Sequence, residues 1–446
     1  MDKLLFRRVL LLSLCVFSVT VSIIMTVEAN GIIYIRANGI VDGTNKIQRN
    51  GNVYTFTDDI FDSIVVEKDG VMVDGAGYSL QGTGIRAGIN LMERTNVTVK
   101  NIEVSGFFYG IYLNASLNNS ISSNNVRGNY CGVYLSASSN NTIISSNITE
   151  NESSGVWFRG SSNNEIRENR IIENGQDGIW LSTSSDDNKV LGNTVRTNGY
   201  GIRLDDYSNN MLRNNDLRDN GFNFGVFGSL LPEFPQDIDE SNIVNGKPIY
   251  YWVNRQDMTV PLDAGYVALV NCSGITIKNL NLNNNGQGIL LAYTTESSII
   301  QNNITNNIHG IYLCGSSNNT VTGNNITKNA LNGIYLYYSQ NNRFFHNNFI
   351  SNINQVYDVG APSNIWDSGA EGNHWSNYVD KYPDATELDS SGIWNTPYVL
   401  DGNNQDNYPL VNEIPEFPSW IILPLFLVAT LLIIICKQRL PKTPSN

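Results

Sequence analysis

The sequence predicts an all-β chain wound as a right-handed parallel β-helix of about a dozen rungs. Three observations carry this. A Gly-apolar-x-apolar tetrad recurs ten times, beginning at Gly88, Gly110, Gly132, Gly155, Gly178, Gly201 and Gly225, then at Gly288, Gly310 and Gly333. The first seven glycines are 22 to 24 residues apart and the last three 22 and 23 apart, a period that marks stacked repeats. Within each tetrad the apolar residues stand two apart, as in Ile111 and Leu113, which is strand alternation. Between them lie Asn, Ser and Gly, residues that tolerate left-handed turns.

One unit, Gly110 to Tyr130 ("GIYLNASLNNSISSNNVRGNY"), supplies three short strands and three turns, enough for one rung. A single rung cannot bury its apolar face, so stability must come from its neighbours. Asparagines recurring at equivalent turns are expected to form ladders along the axis, each amide bonding the next. At strand spacing, about 4.8 Å per rung, a dozen rungs predict a rod on the order of 60 Å long.

The elements follow in chain order. Residues 1–29 carry Lys3, Arg7 and Arg8, then an apolar run ending in Val27-Glu28-Ala29, and read as a secretory signal or an uncleaved anchor. Residues 30–87 are strand-rich but out of register, as expected of an N-terminal cap and first rungs covering a pairing edge. Rungs run through 88–228. Residues 229–264 read as a protruding insertion loop or hairpin. Rungs resume over 265–352, and the aromatic, acidic stretch 353–412 is expected to close the other end. A Pro-rich stalk (413–419) leads to an apolar run at 420–436, at the short end for a transmembrane helix. The basic tail 437–446, with Lys437, Arg439 and Lys442, orients that end to the cytoplasm. The expected location is therefore the cell surface, with a single membrane anchor.

The net charge of −13 excludes the basic footprint of a nucleic-acid binder. Of five cysteines, Cys131, Cys272 and Cys314 fall on separate rungs and are expected to be buried free thiols rather than a disulfide framework. Acceptor sequons begin at Asn96, Asn114, Asn118, Asn140, Asn147, Asn151, Asn271, Asn303, Asn318 and Asn325. The repeat itself generates "NNT" and "NIT", so many of these follow from the fold.

Three kinds of chemistry suggest themselves. The third tetrad residue should point outward, which would align Tyr112, Tyr134, Trp157, Trp180, Arg203, Tyr312 and Tyr335 into an exposed stripe. Such a stripe suits sugar rings and equally stabilises its own sheet; the two readings are compatible. Asp186, Asp187, Asp205 and Asp206 lie just after strands of neighbouring rungs, beside Arg203, and are the candidate catalytic carboxylates of a polysaccharide hydrolase or lyase. Asp at turns is also ordinary turn chemistry. Copper would need clustered imidazole or sulfur ligands; His309, His346 and His374 are dispersed, as are Met72, Met92, Met211 and Met258. The residues call for no metal and no cofactor.

The rungs, the "NGKPIYYWVN" segment and the closing "GNHWSNY…TPYVLDGNNQDNYPL" resemble NosD-like right-handed β-helix proteins, which carry carbohydrate-binding and sugar-hydrolase (CASH) repeats. The resemblance spans roughly residues 31–412 and implies the β-helix fold. Its implied activities are copper-site maturation in the periplasm or an unspecified surface role. An Asp-rich calcium run that many members carry is reduced here to "ELDSSGIWNTPY", which keeps Asp389 and leaves calcium as a candidate ion only. The segment "IPEFPSW" is similar to anchoring or sorting segments of archaeal surface proteins. The expected function is a surface module that binds an extracellular glycan, with polysaccharide cleavage and copper delivery as alternatives.

Overall fold

The computed structural model describes residues 31–206, 209–360 and 362–415. The expected signal, spanning segment and basic tail lie outside the described residues. Among the described residues no helix is long and apolar enough to cross a membrane.

The inward residues of each rung stack on their equivalents. Parallel register joins Ile111 to Val133 and Leu113 to Leu135, then Val133 to Val156 and Leu135 to Phe158. All six are fully buried. A second face stacks Ile121, Ile143, Ile166, Val190 and Leu212, and a third stacks Val104, Val126, Ile148, Ile171, Val195 and Leu217. These columns enclose one continuous core. The product is an all-β parallel β-solenoid of about 15 turns rather than a dozen. Beyond the ten tetrads, five turns come from Ile32–Ile35 and Ser63–Val66, where tetrads are absent, and from Lys247–Val253, Tyr266–Val270 and Asn354–Val359, where the repeat has drifted.

The tetrad glycine has a steric cause. A β-carbon on Gly110 would stand 2.6 Å from the Gly132 carbonyl oxygen and 2.6 Å from Val126. Glycine leaves room there for the backbone of the next rung and for Val126.

Asparagine ladders run through the turns. Asn119 donates its amide to Asn141 Oδ1 at 2.9 Å, Asn141 to Asn164 at 3.1 Å and Asn164 to Asn188 at 3.2 Å. Each side-chain oxygen also accepts a backbone N–H from the rung before, as Asn164 does from Asn141 at 2.8 Å. Buried polar groups are thereby satisfied.

The expected single rod is corrected: the solenoid has two arms. The first face of the first arm is a sheet running from Ile32–Ile35 to Phe222–Phe227, edged by the antiparallel strand Val41–Asp42. Residues 229–264, expected to protrude, instead build wall. Asp237–Ile238 and Ile243–Val244 complete the last rung of the first arm. The hairpin at Asn245-Gly246, both with positive φ, then reverses the chain. Lys247–Val253 pairs antiparallel with Ile243–Val244 and parallel with Tyr266–Val270. One sheet of 14 strands therefore runs from the third face of the first arm into the first face of the second.

The arms also touch through Phe222–Phe227, which lies against the outer surface of the second arm. Gly286 N–H donates to the Phe224 carbonyl at 2.9 Å and Gln287 Nε2 to the Val226 carbonyl at 3.0 Å. Tyr312 Oη donates to the Gly228 carbonyl at 2.7 Å. Register pairs Arg203 with Gly225 and Ile202 with Phe224, so Gly225 is not the tetrad glycine expected from spacing but its third residue.

At the far end Phe344 stacks on Trp366 at 4.3 Å and Phe349 on Trp375 at 4.4 Å, with Tyr398 closing over Trp375 at 4.2 Å. Aromatic planes thus cover the last rungs. Cys131, Cys272 and Cys314 are buried free thiols.

Candidate functional site

Two outward columns run side by side along the first face. One contains Asn90, Tyr112, Tyr134, Trp157, Trp180, Arg203 and Gly225 in successive register. The other contains the residue before each tetrad glycine, such as Ala87, Tyr109, Cys131, Asp177, Tyr200 and Phe222.

The rings of the first column stack on one another: Tyr112 on Tyr134 at 5.8 Å, Tyr134 on Trp157 at 4.7 Å, Trp157 on Trp180 at 4.8 Å. Arg203 continues the series, its guanidinium 5.1 Å from the Trp180 ring and 5.5 Å from Phe227. Across the junction Phe227 approaches His309, which stacks on Tyr335 at 5.0 Å, and Tyr335 on Tyr312 at 4.8 Å.

The expected exposed stripe is thereby corrected. Tyr134 is 7% exposed and Tyr312 is 3% exposed, Tyr312 beneath the first arm; Tyr112, Trp157, Trp180, Arg203 and Tyr335 are half-buried. Ring faces are occupied by neighbouring rings, so inside the column mainly ring edges reach solvent.

One end of the column is open. The rung before Tyr109 and Tyr112 offers only Ala87 and Asn90 in register, and the rung before that sets Val65 against Asn90. This step from small to aromatic residues leaves a cavity of about 300 Å³. Its floor is Ser63, Val65, Ala87 and Asn90, its wall the rings of Tyr109 and Tyr112, its rim Ile85, Arg86 and Phe108. Ile85 is 72% exposed. Burial, followed by Tyr134, raises the phenol pKa of both Tyr109, to about 12, and Tyr112, so both remain protonated donors near neutrality. Sequence reasoning missed Tyr109, Arg86 and Asn90; the signal was the abrupt loss of aromatic residues below Tyr112.

The candidate carboxylates divide. Asp205 accepts Trp180 Nε1–H at 2.8 Å and Arg203 Nε–H at 3.0 Å. Burial, and then Glu233 and Asp205, raise the pKa of Asp206. Asp186 and Asp187 sit in the turn after Asp177–Ser182, where the Asp186 N–H donates to Ser162 Oγ at 3.1 Å and Asp187 adopts positive φ. The cluster around Arg203 instead includes Asp177, which the sequence did not single out. Asp177 is 5% exposed and accepts the Ser154 hydroxyl at 3.4 Å. Burial pushes its carboxyl up to about 6 against the opposing pull of Arg203. The signal was an acid in the column that elsewhere holds Tyr109, Cys131 and Tyr200.

Among the acceptor sequons, Asn96, Asn118, Asn140, Asn271 and Asn318 are exposed, whereas Asn114, Asn147, Asn303 and Asn325 are half-buried. Asn151 is corrected: it is buried in a ladder, its amide donating to Asn174 Oδ1 at 2.8 Å.

Fold and face together define a two-armed β-solenoid with an outward aromatic column that ends in a ligand-sized cavity. A family model described as "Periplasmic copper-binding protein (NosD)" matches residues 43–249 and 255–379, and the chain belongs to the NosD family. No curated protein matches it. Among solved structures it is similar to the A-module of Azotobacter vinelandii mannuronan C-5 epimerase AlgE6, at 14% identity over 71% of this chain and 87% of that one, with a TM-score of 0.33. It is also similar to the catalytic unit of a GH87 α-1,3-glucanase from Streptomyces thermodiastaticus, at 13% identity over 77% and 64%, TM-score 0.34. The periplasmic alginate epimerase AlgG shows 13% identity over 74% and 84%, TM-score 0.32.

The family description raises copper, which the side chains must fit. Among the described residues no three His, Cys, Asp or Glu side chains converge on one point. His309 is held by Asn332 through Nδ1 at 3.0 Å and kept neutral by burial, which pulls it down to about 4. His346 pairs with Glu371. Among the described residues the three histidines, His374 included, thus belong to no cluster of three His, Cys, Asp or Glu side chains.

Proposed function

We propose that the protein is an exported surface module that binds an extracellular glycan at the open end of its aromatic column. The single observation carrying this is the cavity lined by the rings of Tyr109 and Tyr112, which stack on each other at 5.2 Å beside a polar and small-residue floor. Sugars need an apolar ring face flanked by hydrogen-bonding groups, and Ser63, Asn90 and the two phenols supply the latter. Membership of a family described as periplasmic agrees with export. The signal at 1–29 and the apolar run 420–436 would place the solenoid outside a membrane that tethers it. The test is a glycan array with the full chain in detergent: Tyr112→Ala should abolish binding, whereas Tyr335→Ala, in the second arm, should leave it unchanged. Absence of any glycan ligand would overturn the reading.

A second reading, cleavage of a polysaccharide, is favoured by one observation. Asp177 is pushed up to about 6 while Asp205, beside it, is held by Arg203. Two carboxyl groups in contrasting environments suit acid and base roles. Reducing-end release that disappears in Asp177→Asn would support it over simple binding.

A further inference from the structure

Arg86 is the cation that lines the cavity. It is exposed at the rim of the cavity and makes no ion pair among the described residues. By contrast Arg36, Arg94, Arg127, Arg167, Arg196 and Arg213 each hold a carboxylate. Arg49, Arg159, Arg170, Arg255 and Arg343 also lack an ion pair among the described residues, but of these six arginines only Arg86 lines the ligand-sized cavity.

The cavity is one-sided. Tyr109 and Tyr112 bound it along the axis, and Ala87 and Asn90 lie one rung below them. Arg86 immediately precedes Ala87, at the start of that floor strand. No carboxylate is among the lining residues. A ring lying on the tyrosines, over a floor about two strand spacings wide or roughly 10 Å, would carry its substituents toward Arg86. A guanidinium offers two parallel N–H groups that match a carboxylate.

We propose that this cavity takes a uronic-acid residue of an acidic polysaccharide, its pyranose ring against Tyr112 and its carboxylate on Arg86. The assignment rests on the glycan-binding reading and narrows it from glycan to anionic glycan. The acidic surface elsewhere then acts as a filter, repelling polyanions that approach the solenoid away from Arg86.

The experiment is calorimetric titration of the full chain in detergent with an oligogalacturonate and with a neutral cello-oligosaccharide of equal length. The oligogalacturonate should bind, more weakly as salt is raised. Arg86→Gln should weaken it about tenfold or more, the loss expected for a charge-assisted pair, without lowering the melting temperature. Tyr112→Ala should abolish it, and Tyr112→Phe should restore it in large part. Binding of the neutral sugar with no preference for the acid overturns the uronate assignment and leaves glycan binding standing. Acid binding that survives Arg86→Gln overturns the cavity as its site. No binding of either sugar overturns both.

Discussion

Tyr200 reaches from the eighth rung of the first arm to Gly286 on the second: a β-carbon on Gly286 would land on the Tyr200 hydroxyl. Gly225 flanks the same hydroxyl from the other side. The phenol is buried and its oxygen has no hydrogen-bond partner. Two glycines from different arms thus make room for one side chain at the junction, and this explains why Gly225 breaks the spacing of the tetrads.

Gly286→Ala should therefore cost about 1–3 kcal/mol, the range for overpacking a filled site. Tyr200→Phe removes an unsatisfied buried oxygen and should be neutral or stabilising by up to about 1 kcal/mol. Chemical denaturation of the two variants checks both signs. A stabilised Gly286→Ala would show that the junction is looser than its geometry.

The asparagine ladders predict a sharp contrast between neighbours. Asn164 accepts from Asn141 and donates to Ser138, Ser162 and Asn188. Asn164→Leu strands several of these groups and should cost about 1–3 kcal/mol for each left unsatisfied. Exposed Asn163 beside it has φ of 59°, so Asn163→Gly should change stability by less than about 0.5 kcal/mol. Thermal melts of the pair would show whether ladder amides carry the fold.

Asp177 sets a pH dependence. Its folded-state carboxyl is pushed up to about 6 by burial, above the ordinary range near 4 of an unfolded chain. The folded protein then holds the proton more tightly, so stability is greatest below pH 4 as far as this group is concerned. It is lost as pH rises from about 4 to about 6. Asp177→Asn should flatten that slope and raise stability at pH 7 by up to about 3 kcal/mol, with no gain at pH 4. Denaturation midpoints across that range are the measurement.

Trp157 lies between Tyr134 and Trp180 and donates Nε1–H to Ser182 Oγ at 3.0 Å. Trp157→Ala removes two ring pairs and should cost roughly 1–3 kcal/mol. Because its faces are already occupied, glycan affinity should change less than threefold. A large loss of affinity at unchanged stability would move the binding surface from the end of the column to its middle.

Much of this fold was legible because a solenoid writes its geometry as period. Gly110, Ile111 and Leu113 state the close approach and the two inward positions of one rung, and Gly132, Val133 and Leu135 repeat the pattern 22 residues on. The third tetrad residue points away from the interior of its own rung, yet Leu290 and Tyr312 at that position are buried. What lay on top of it was not legible, because the covering of Tyr312 by the carbonyl of Gly228 depends on contacts 84 residues apart. The reversal at Asn245-Gly246 lies in a stretch that reads only as a loop or hairpin, and nothing local says that its second strand begins another arm. Asp177 and the cavity below Tyr112 escaped for a further reason. Both are departures from the repeat, and periodic reading attends to what recurs.

The sheet of 14 strands passes through the Asn245-Gly246 reversal without a break. Tension applied between the ends of the molecule is therefore carried across that bend by backbone pairing on one wall and by the Phe222–Phe227 contact on the opposite side. The two arms form a braced elbow rather than beads on a string, and whatever is gripped at one tip is held in fixed orientation to the other.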